Sequence, residues 1–184
     1  MKKKIDIRGE RIGIKNFKKD DISKEYISWL NDKKVTEYSN QRHAIHSYES
    51  CLSYYNSFKG TNNHFLSIRE LNTNRMIGTL TIYHFVHHKT VDIGIMIGES
   101  DVWGQGYGQE AWNMTMEWLI KDSEIHKITA GTARPNKGMI KLMERSGMTL
   151  EAVKIKQEII GGSFEDLLYF AKFNPSYNKI EKSK

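Results

Sequence analysis

The sequence predicts an α/β fold: a central mixed, mostly antiparallel sheet of about seven strands, with about four helices on its two faces. Three observations predict it. Segments with alternate-residue and with three-to-four-residue apolar spacing follow one another in the order β-α-α-β-β-β-α-β-α-β-β. Of the 184 residues, 39% are hydrophobic and 11% aromatic, enough to bury one core. A loop with glycine at every second position, Trp103-Gly104-Gln105-Gly106-Tyr107-Gly108, leads from a strand into a helix.

The elements follow in order. Arg11 to Phe17 reads as a first strand. Asp20 or Asp21 is placed to cap a helix with Ile22, Tyr26, Trp29 and Leu30 on one face. Ser47 is placed to cap a second, with Tyr48, Cys51, Leu52 and Tyr55 as its stripe. Asn63 to Leu71 and Met76 to Phe85 read as strands joined at Asn72-Thr73-Asn74. A turn at His87-His88-Lys89 leads to the strand Thr90 to Gly98. A helix from about Gly106 to Lys121 carries Ala111, Met114, Thr115, Trp118 and Leu119 on one side. His126 to Gly131 is a short strand, and Asn136 caps a helix, Lys137 to Ser146, that stops at Gly147. Met148 to Ile159 and Ser163 to Phe173 form the last two strands, joined at Ile160-Gly161-Gly162.

Composition narrows the function. The net charge is +6, but Lys2, Lys3 and Lys4 carry +3 and residues 179–184 carry +2, so residues 5–178 hold only +1. The charge sits on basic tails and not on a folded stripe, which argues against nucleic acid as a partner. One cysteine, Cys51, excludes an internal disulfide and points to a cytoplasmic protein. The absence of an 18-residue apolar run, and of an apolar segment after Lys4, argues against a membrane span and a signal peptide, and neither is expected. Residues 1–184 are expected to form a single domain, monomeric or homodimeric, with its core over about residues 8–173.

The glycine loop is built for a pyrophosphate. Glycines let successive N–H groups point into one hollow, and the following helix adds its positive end. A P-loop needs a lysine after its last glycine, where Gln109 and Glu110 stand. A dinucleotide fingerprint needs Gly-x-Gly-x-x-Gly near the first strand, whereas this loop lies past the midpoint with one residue fewer.

Three segments together are informative: Asp92-Ile93-Gly94-Ile95-Met96-Ile97-Gly98 with the loop from Trp103; Asn136 with Leu142-Met143-Glu144-Arg145-Ser146-Gly147-Met148; and Gly161-Gly162-Ser163-Phe164-Glu165-Asp166. In this order they resemble the GCN5-related N-acetyltransferase (GNAT) superfamily. The branch is the one that acetylates ribosomal-protein N-termini, polyamines and sugar amines, in which Trp often stands where Trp103 does. The resemblance implies a sheet splayed between the strand Thr90–Gly98 and the next, acetyl-CoA as co-substrate and no metal. It assigns the diphosphate to amides of Gln105 to Gly108, with Trp103, Gly104 and Gln109 alongside. It assigns the pantetheine arm to the strand edge at Ile95, Met96 and Ile97, one of whose N–H groups is the expected oxyanion donor, and to Asn136 and Lys141. Asn136 also suits a plain helix cap.

Transfer to an amine requires a base. By strand parity Val91, Ile93, Ile95 and Ile97 face the core, while Asp92, Gly94 and Met96 share the other face, unless a β-bulge intervenes. Gly94 leaves room beside Asp92, which also matches a glutamate of the branch, so Asp92 is the first candidate base and His84 the second. The alternatives are a solvated aspartate paired with Lys89 or Arg75 and a surface histidine. His84, His87 and His88 lack the convergent geometry of a metal site. The family's general-acid tyrosine is replaced by Met143, and no acid is assigned. The acceptor is expected against the first two helices, the loop between them, Val35 to Ser47, and the last hairpin, through Tyr38, Arg42 and His43. Trp29 joins them through Trp29-Leu30-Asn31-Asp32, which resembles openings of sugar-amine acetyltransferases; on periodicity alone Trp29 is core. These residues point to an amino sugar or nucleotide-linked amino sugar. A polyamine or protein N-terminus is the alternative within enzymes, and a non-catalytic acyl-CoA-binding module the alternative outside them.

Overall fold

The computed structural model describes residues 5–122, 124–175 and 177; the basic tails at Lys2–Lys4 and 179–184 lie outside the described residues. The strands are β1 (Asp6–Arg8), β2 (Ile12–Asn16), β3 (His64–Glu70), β4 (Met76–Phe85), β5 (Thr90–Ile97), β6 (Lys127–Ala133), β7 (Thr149–Ile160) and β8 (Ser163–Phe173). They form one sheet in the order β1-β2-β3-β4-β5-β6-β8-β7. All pairings are antiparallel except β5 with β6. The eighth strand is β1, which turns back onto β2 through a Gly9 N–H to Ile12 carbonyl bond of 2.9 Å. Three residues with one apolar side chain, Ile7, are too few for a periodic signal.

The helices are α1 (Lys24–Asn31), α2 (Tyr48–Ser57), α3 (Tyr107–Ile120) and α4 (Lys137–Arg145). Ser23, not Asp20 or Asp21, caps α1: its hydroxyl accepts from Tyr26 N–H at 3.2 Å. The aspartates belong to a separate 3-10 turn, where the Asp21 carboxylate takes the Lys18 N–H and pairs with Arg69. Ser47 caps α2 as expected, and Asn136 caps α4 by accepting the Met139 N–H at 3.1 Å.

Each face of the sheet has its own core. Ile14, Leu66, Leu80, Val91 and Ile93 bury one face beneath Ala111, Trp112 and Leu119 of α3 and Met143 of α4. Phe17, Phe65 and partly buried Tyr83 and Met96 bury the other beneath Tyr26, Trp29 and Leu30 of α1 and Cys51 of α2. The rings of Phe17 and Phe65 stack at 4.2 Å and those of Phe58 and Phe65 at 5.3 Å. Burial of these two clusters, at about 1.5–3 kcal/mol for each large apolar side chain, is the main favourable term.

At Gly98 the backbone approaches the second core so closely that an added Cβ would lie 2.0 Å from Trp29 Cδ2. Gly98→Ala must push the Trp29 indole out of the aromatic cluster. It is expected to cost about 1–3 kcal/mol, read as a lowered midpoint in thermal denaturation. An unchanged midpoint would show that Trp29 is not held there.

Candidate active site

The site begins where the sheet opens. β5 pairs with β4 without a break from Thr90 to Ile97, so no bulge disturbs its parity. Its pairing with β6 covers only Thr90↔Lys127, Val91↔Ile128 and Asp92↔Thr129. Beyond Asp92 the two strands diverge. Gly98 N–H bonds Ile77 carbonyl on β4 at 2.9 Å, whereas Val91 carbonyl accepts Thr129 Oγ1 of β6 at 3.1 Å. By alternation, the backbone N–H and C=O of Ile93, Ile95 and Ile97 face the gap, and those of Gly94 and Met96 face β4. Met96 therefore borders the gap by its side chain alone, in contrast to the expectation from sequence that its backbone lies on the free edge.

At the end of β5 the Trp103 indole N–H donates to Ile97 carbonyl at 2.9 Å, which occupies the last acceptor of that edge. The loop then turns through Gly104 at φ 73° and Gly106 at φ 86°, both left-handed, into α3. The first bond of α3 runs from Glu110 N–H to Gly106 carbonyl at 3.0 Å. The Tyr107, Gly108 and Gln109 N–H groups therefore have no acceptor within the helix, and Gly106 provides no side-chain cap. Gln105 differs from expectation: its N–H turns inward to Val102 carbonyl at 3.4 Å, and its side chain bonds Asp101 carbonyl. The amides without an internal acceptor thus begin nearer α3 than expected, past Gln105.

These amides line a cavity of about 320 Å³ with Ile97, Trp103, Gly138, Leu142 and Arg145. Among the described residues, Arg145 is the one cation of that lining, and sequence reasoning gave it no role although it stands in the segment that carries the resemblance. Lys141 is exposed and does not line the cavity. Gln109 ties α3 to α4 through Ser146 Oγ at 3.0 Å. A buttress that sequence reasoning also missed comes from the β1–β2 turn. Arg11 donates to Gln105 carbonyl at 2.9 Å and to Glu110 at 2.8 Å, and stacks on Tyr107 at 4.4 Å. Burial pushes the Glu110 carboxyl up, but the Arg11 N–H and guanidinium and the Ile12 N–H outweigh it and hold it below the usual range.

Two further cavities share Ser39, Gly94, Ile95 and Met96 as walls. The larger, of about 290 Å³, spans the gap between β5 and Gly131, Thr132 and Asn136, under Val35 and Tyr38. The other lies over β4 beneath α1 and α2, against Tyr26, Gln41, Tyr54, Thr79 and Thr81. Ile97 is common to the gap cavity and the glycine-loop cavity, so the three are adjacent along β5. Asn136 caps α4, donates to Thr132 Oγ1 at 3.1 Å and borders the gap.

Asp92 sits at the closed end of the gap and accepts from Thr129 Oγ1 at 2.8 Å, not from Lys89 or Arg75. Lys89 pairs with Glu124, and Arg75 with Glu70, Glu99 and Asp101. Burial raises the Asp92 carboxyl above the ordinary carboxylate range, against the opposing hydrogen bond from Thr129. Gly94, two residues on, is not flanked by open space throughout, since a Cβ there would lie 2.9 Å from Thr81 Oγ1. His84 lies on the opposite face: its ring meets His64 at 5.3 Å, and His64 meets Trp118 of α3 at 5.9 Å. An alternation of one residue along β4 separates it from the acceptor side.

The expected acceptor residues divide. Tyr38 lines the gap cavity. Arg42, with 15% of its side chain exposed, reaches the β7–β8 hairpin, where it pairs with Glu158 at 3.4 Å and donates to Ile159 carbonyl at 3.2 Å. His43 is exposed on a 3-10 turn, and Trp29 is core at 6% exposure; neither lines the two shared cavities. Met143 is fully buried, so no phenol replaces it at that position. Among the described residues, no group of three His, Cys, Asp or Glu is placed to hold a metal, and no helix is long and apolar enough to cross a membrane.

The features together fit the coenzyme on three counts: orphan amides at a helix start for a diphosphate, an unpaired strand edge for an amide-bearing arm, and a continuous line of cavities between them. Comparison with known proteins agrees. The family model described as the acetyltransferase (GNAT) domain matches residues 11–149. The Bacillus subtilis (strain 168) protein "Probable N-acetyltransferase YjcK" is 25% identical over 168 residues, 90% of this chain and 88% of that one. RimL, a ribosomal L7/L12 alpha-N-protein acetyltransferase solved with coenzyme A, superposes with a TM-score of 0.82 at 14% identity, over 94% of this chain and 99% of that one. Spermidine N-acetyltransferase from Vibrio cholerae, solved with CoA and spermine, gives 0.81 at 16% identity, over 92% and 99%. At these identities the solved structures show a shared fold. The chain therefore belongs to the GNAT acetyltransferases and is an acetyl-CoA-dependent N-acetyltransferase.

Proposed function

We propose that the acceptor is a small primary amine carrying hydroxyl groups, an amino sugar first, acetylated directly in a ternary complex. One observation carries this reading. Among the described residues, the walls of the two cavities that share Gly94 and Met96 offer hydroxyl and amide groups but no charged side chain. A polyamine needs carboxylates along its length, and these walls have none. Arg42 Nη1, buried and without a partner among the described residues, supports the nucleotide-linked form as a second reading.

Acetyl-CoA supplies the activated acetyl group. The amides of Tyr107, Gly108 and Gln109, with Arg145 nearby, hold the diphosphate end. The outward N–H groups of Ile95 and Ile97 orient the arm, and one of them faces the carbonyl oxygen as it gains charge. Asp92, about 7 Å of strand from Gly94, takes the amine proton through intervening water. Burial raises its affinity for protons, which suits that task. Departure of the thiolate needs no tyrosine at Met143, because a CoA thiol is acidic enough to leave unassisted.

A thiol-release assay on a panel of amines tests the reading. Glucosamine or a nucleotide-linked amino sugar is expected to give the highest kcat/KM, with spermidine and an alanine-initiated peptide at least about tenfold lower. A reversed order would assign the cavity to a polycation or a protein terminus. Coenzyme binding without turnover of any amine would leave a binding module.

A further inference from the structure

Resting on that acceptor class, the structure points to a specificity-determining pair that the transfer chemistry does not use. Tyr54 of α2 lines the cavity over β4, and its hydroxyl lies 2.9 Å from the Tyr83 hydroxyl of β4. The Tyr54 ring is wedged edge-on against Phe58 at 5.1 Å and Phe65 at 5.3 Å, which fixes where the oxygen stands. Thr79, Thr81, Ser39 and Gln41 complete the polar wall of the same cavity.

The chemistry of two joined phenols limits what they recognise. One hydroxyl donates to the other. If Tyr83 donates, Tyr54 keeps its own proton for the cavity; if Tyr54 donates, it presents its lone pairs. A ligand hydroxyl meets either state, because it both donates and accepts. An ammonium group only donates, and an apolar ligand does neither. Burial, reinforced by the Tyr83 hydrogen bond, raises the pKa of the Tyr54 hydroxyl, so Tyr54 keeps its proton. The wall stands one strand over from β5, about 5 Å, a separation that one six-membered ring bridges.

We infer that Tyr54, held in place by Tyr83, reads a hydroxyl of the acceptor at the β4 side of the cavity, while the amine lies over β5. Tyr54→Phe keeps the ring contacts and removes only the oxygen. It is expected to raise the KM for glucosamine about 5–20-fold, with kcat within about twofold and the KM for acetyl-CoA unchanged. Cyclohexylamine, a ring amine without hydroxyls, is expected to react with both proteins within about twofold. Tyr83→Phe, which releases Tyr54, is expected to give the same pattern at about 2–5-fold. Each variant is compared with the parent on one amine at a time, so the different basicities of the amines cancel.

Equal losses on both amines would make the pair merely structural and overturn the inference. So would a fully active Tyr54→Phe with parental KM for glucosamine. If the parent acetylated no hydroxylated amine at all, the proposed acceptor class would fall, and the role of Tyr54 with it.

Discussion

Asp92→Asn lowers kcat/KM for the acceptor by at least tenfold, and by as much as about 10³-fold if the carboxylate is the sole proton acceptor. Asn is the informative replacement, because its Oδ1 still accepts from Thr129 and its volume is the same. The stability of the variant moves the other way. Burial raises the folded-state pKa of Asp92 above its unfolded value. Stability from such a group is fully present below the unfolded pKa, about 3.9, and is lost as pH rises through the folded value. At neutral pH the ionised carboxylate therefore costs stability, and Asn removes that cost. The melting midpoint at pH 7 is expected to hold or rise, and the gap between variant and parent to close on acidification. The parent's pH profile of kcat/KM should fall on its acid side at a pH above the ordinary carboxylate range, and this limb should vanish in Asp92→Asn. Parental kinetics in the variant, or a lowered midpoint with the acid limb retained, would remove Asp92 from the mechanism.

The long strands and the glycine loop were legible because each carries a signal that survives without tertiary context. Val91 to Ile97 alternates, and its parity survives in the structure because the β4–β5 register is unbroken. Ser47 and Asn136 cap their helices because each precedes a periodic run. The misses have equally physical causes. Asp20 and Asp21 looked like caps, but Asp21 is drawn to Arg69, forty-eight residues away, and Ser23 takes over. Long-range ion pairs leave no mark on local spacing. His84 is a candidate base by its imidazole and its position near a strand end, whereas one step of parity puts it with His64 and Trp118. The bond from Arg42 to Glu158, reached across 116 residues, is one that nothing local foretells. The acceptor walls were the least legible of all. Ser39, Tyr54, and Thr79 with Thr81 come from three segments of chain, and only the packing of α1 and α2 over β4 brings them together.

Gly106→Val raises the KM and Kd for acetyl-CoA by about 10–100-fold while the fold persists. At φ 86° and ψ 0° the residue occupies a region that a β-branched side chain enters only with strain. Strain of about 1–2 kcal/mol, relieved by moving the loop, carries the Tyr107, Gly108 and Gln109 amides off the line they share. The substitution also brings a side chain toward Arg11, whose Nη2 lies 3.4 Å from the position of an added Cβ. Arg11 holds Gln105 carbonyl from behind, so its displacement loosens the loop at a second point. Gly104→Ala separates strain from displacement: it too is left-handed at φ 73°, but an added Cβ there meets nothing within 4 Å. It is expected to shift Kd by less than about fivefold. Each variant should lower the melting midpoint by a few degrees, since about 1 kcal/mol corresponds to roughly 2–4 °C in a chain of this size. Calorimetric titration with coenzyme A well below that midpoint then reads the loop alone. Parental affinity in Gly106→Val would mean that the diphosphate is held elsewhere, and the assignment of the glycine-loop amides would fail. A loss of affinity matched by Gly104→Ala would make loop strain, and not the aim of the α3 amides, the controlling quantity.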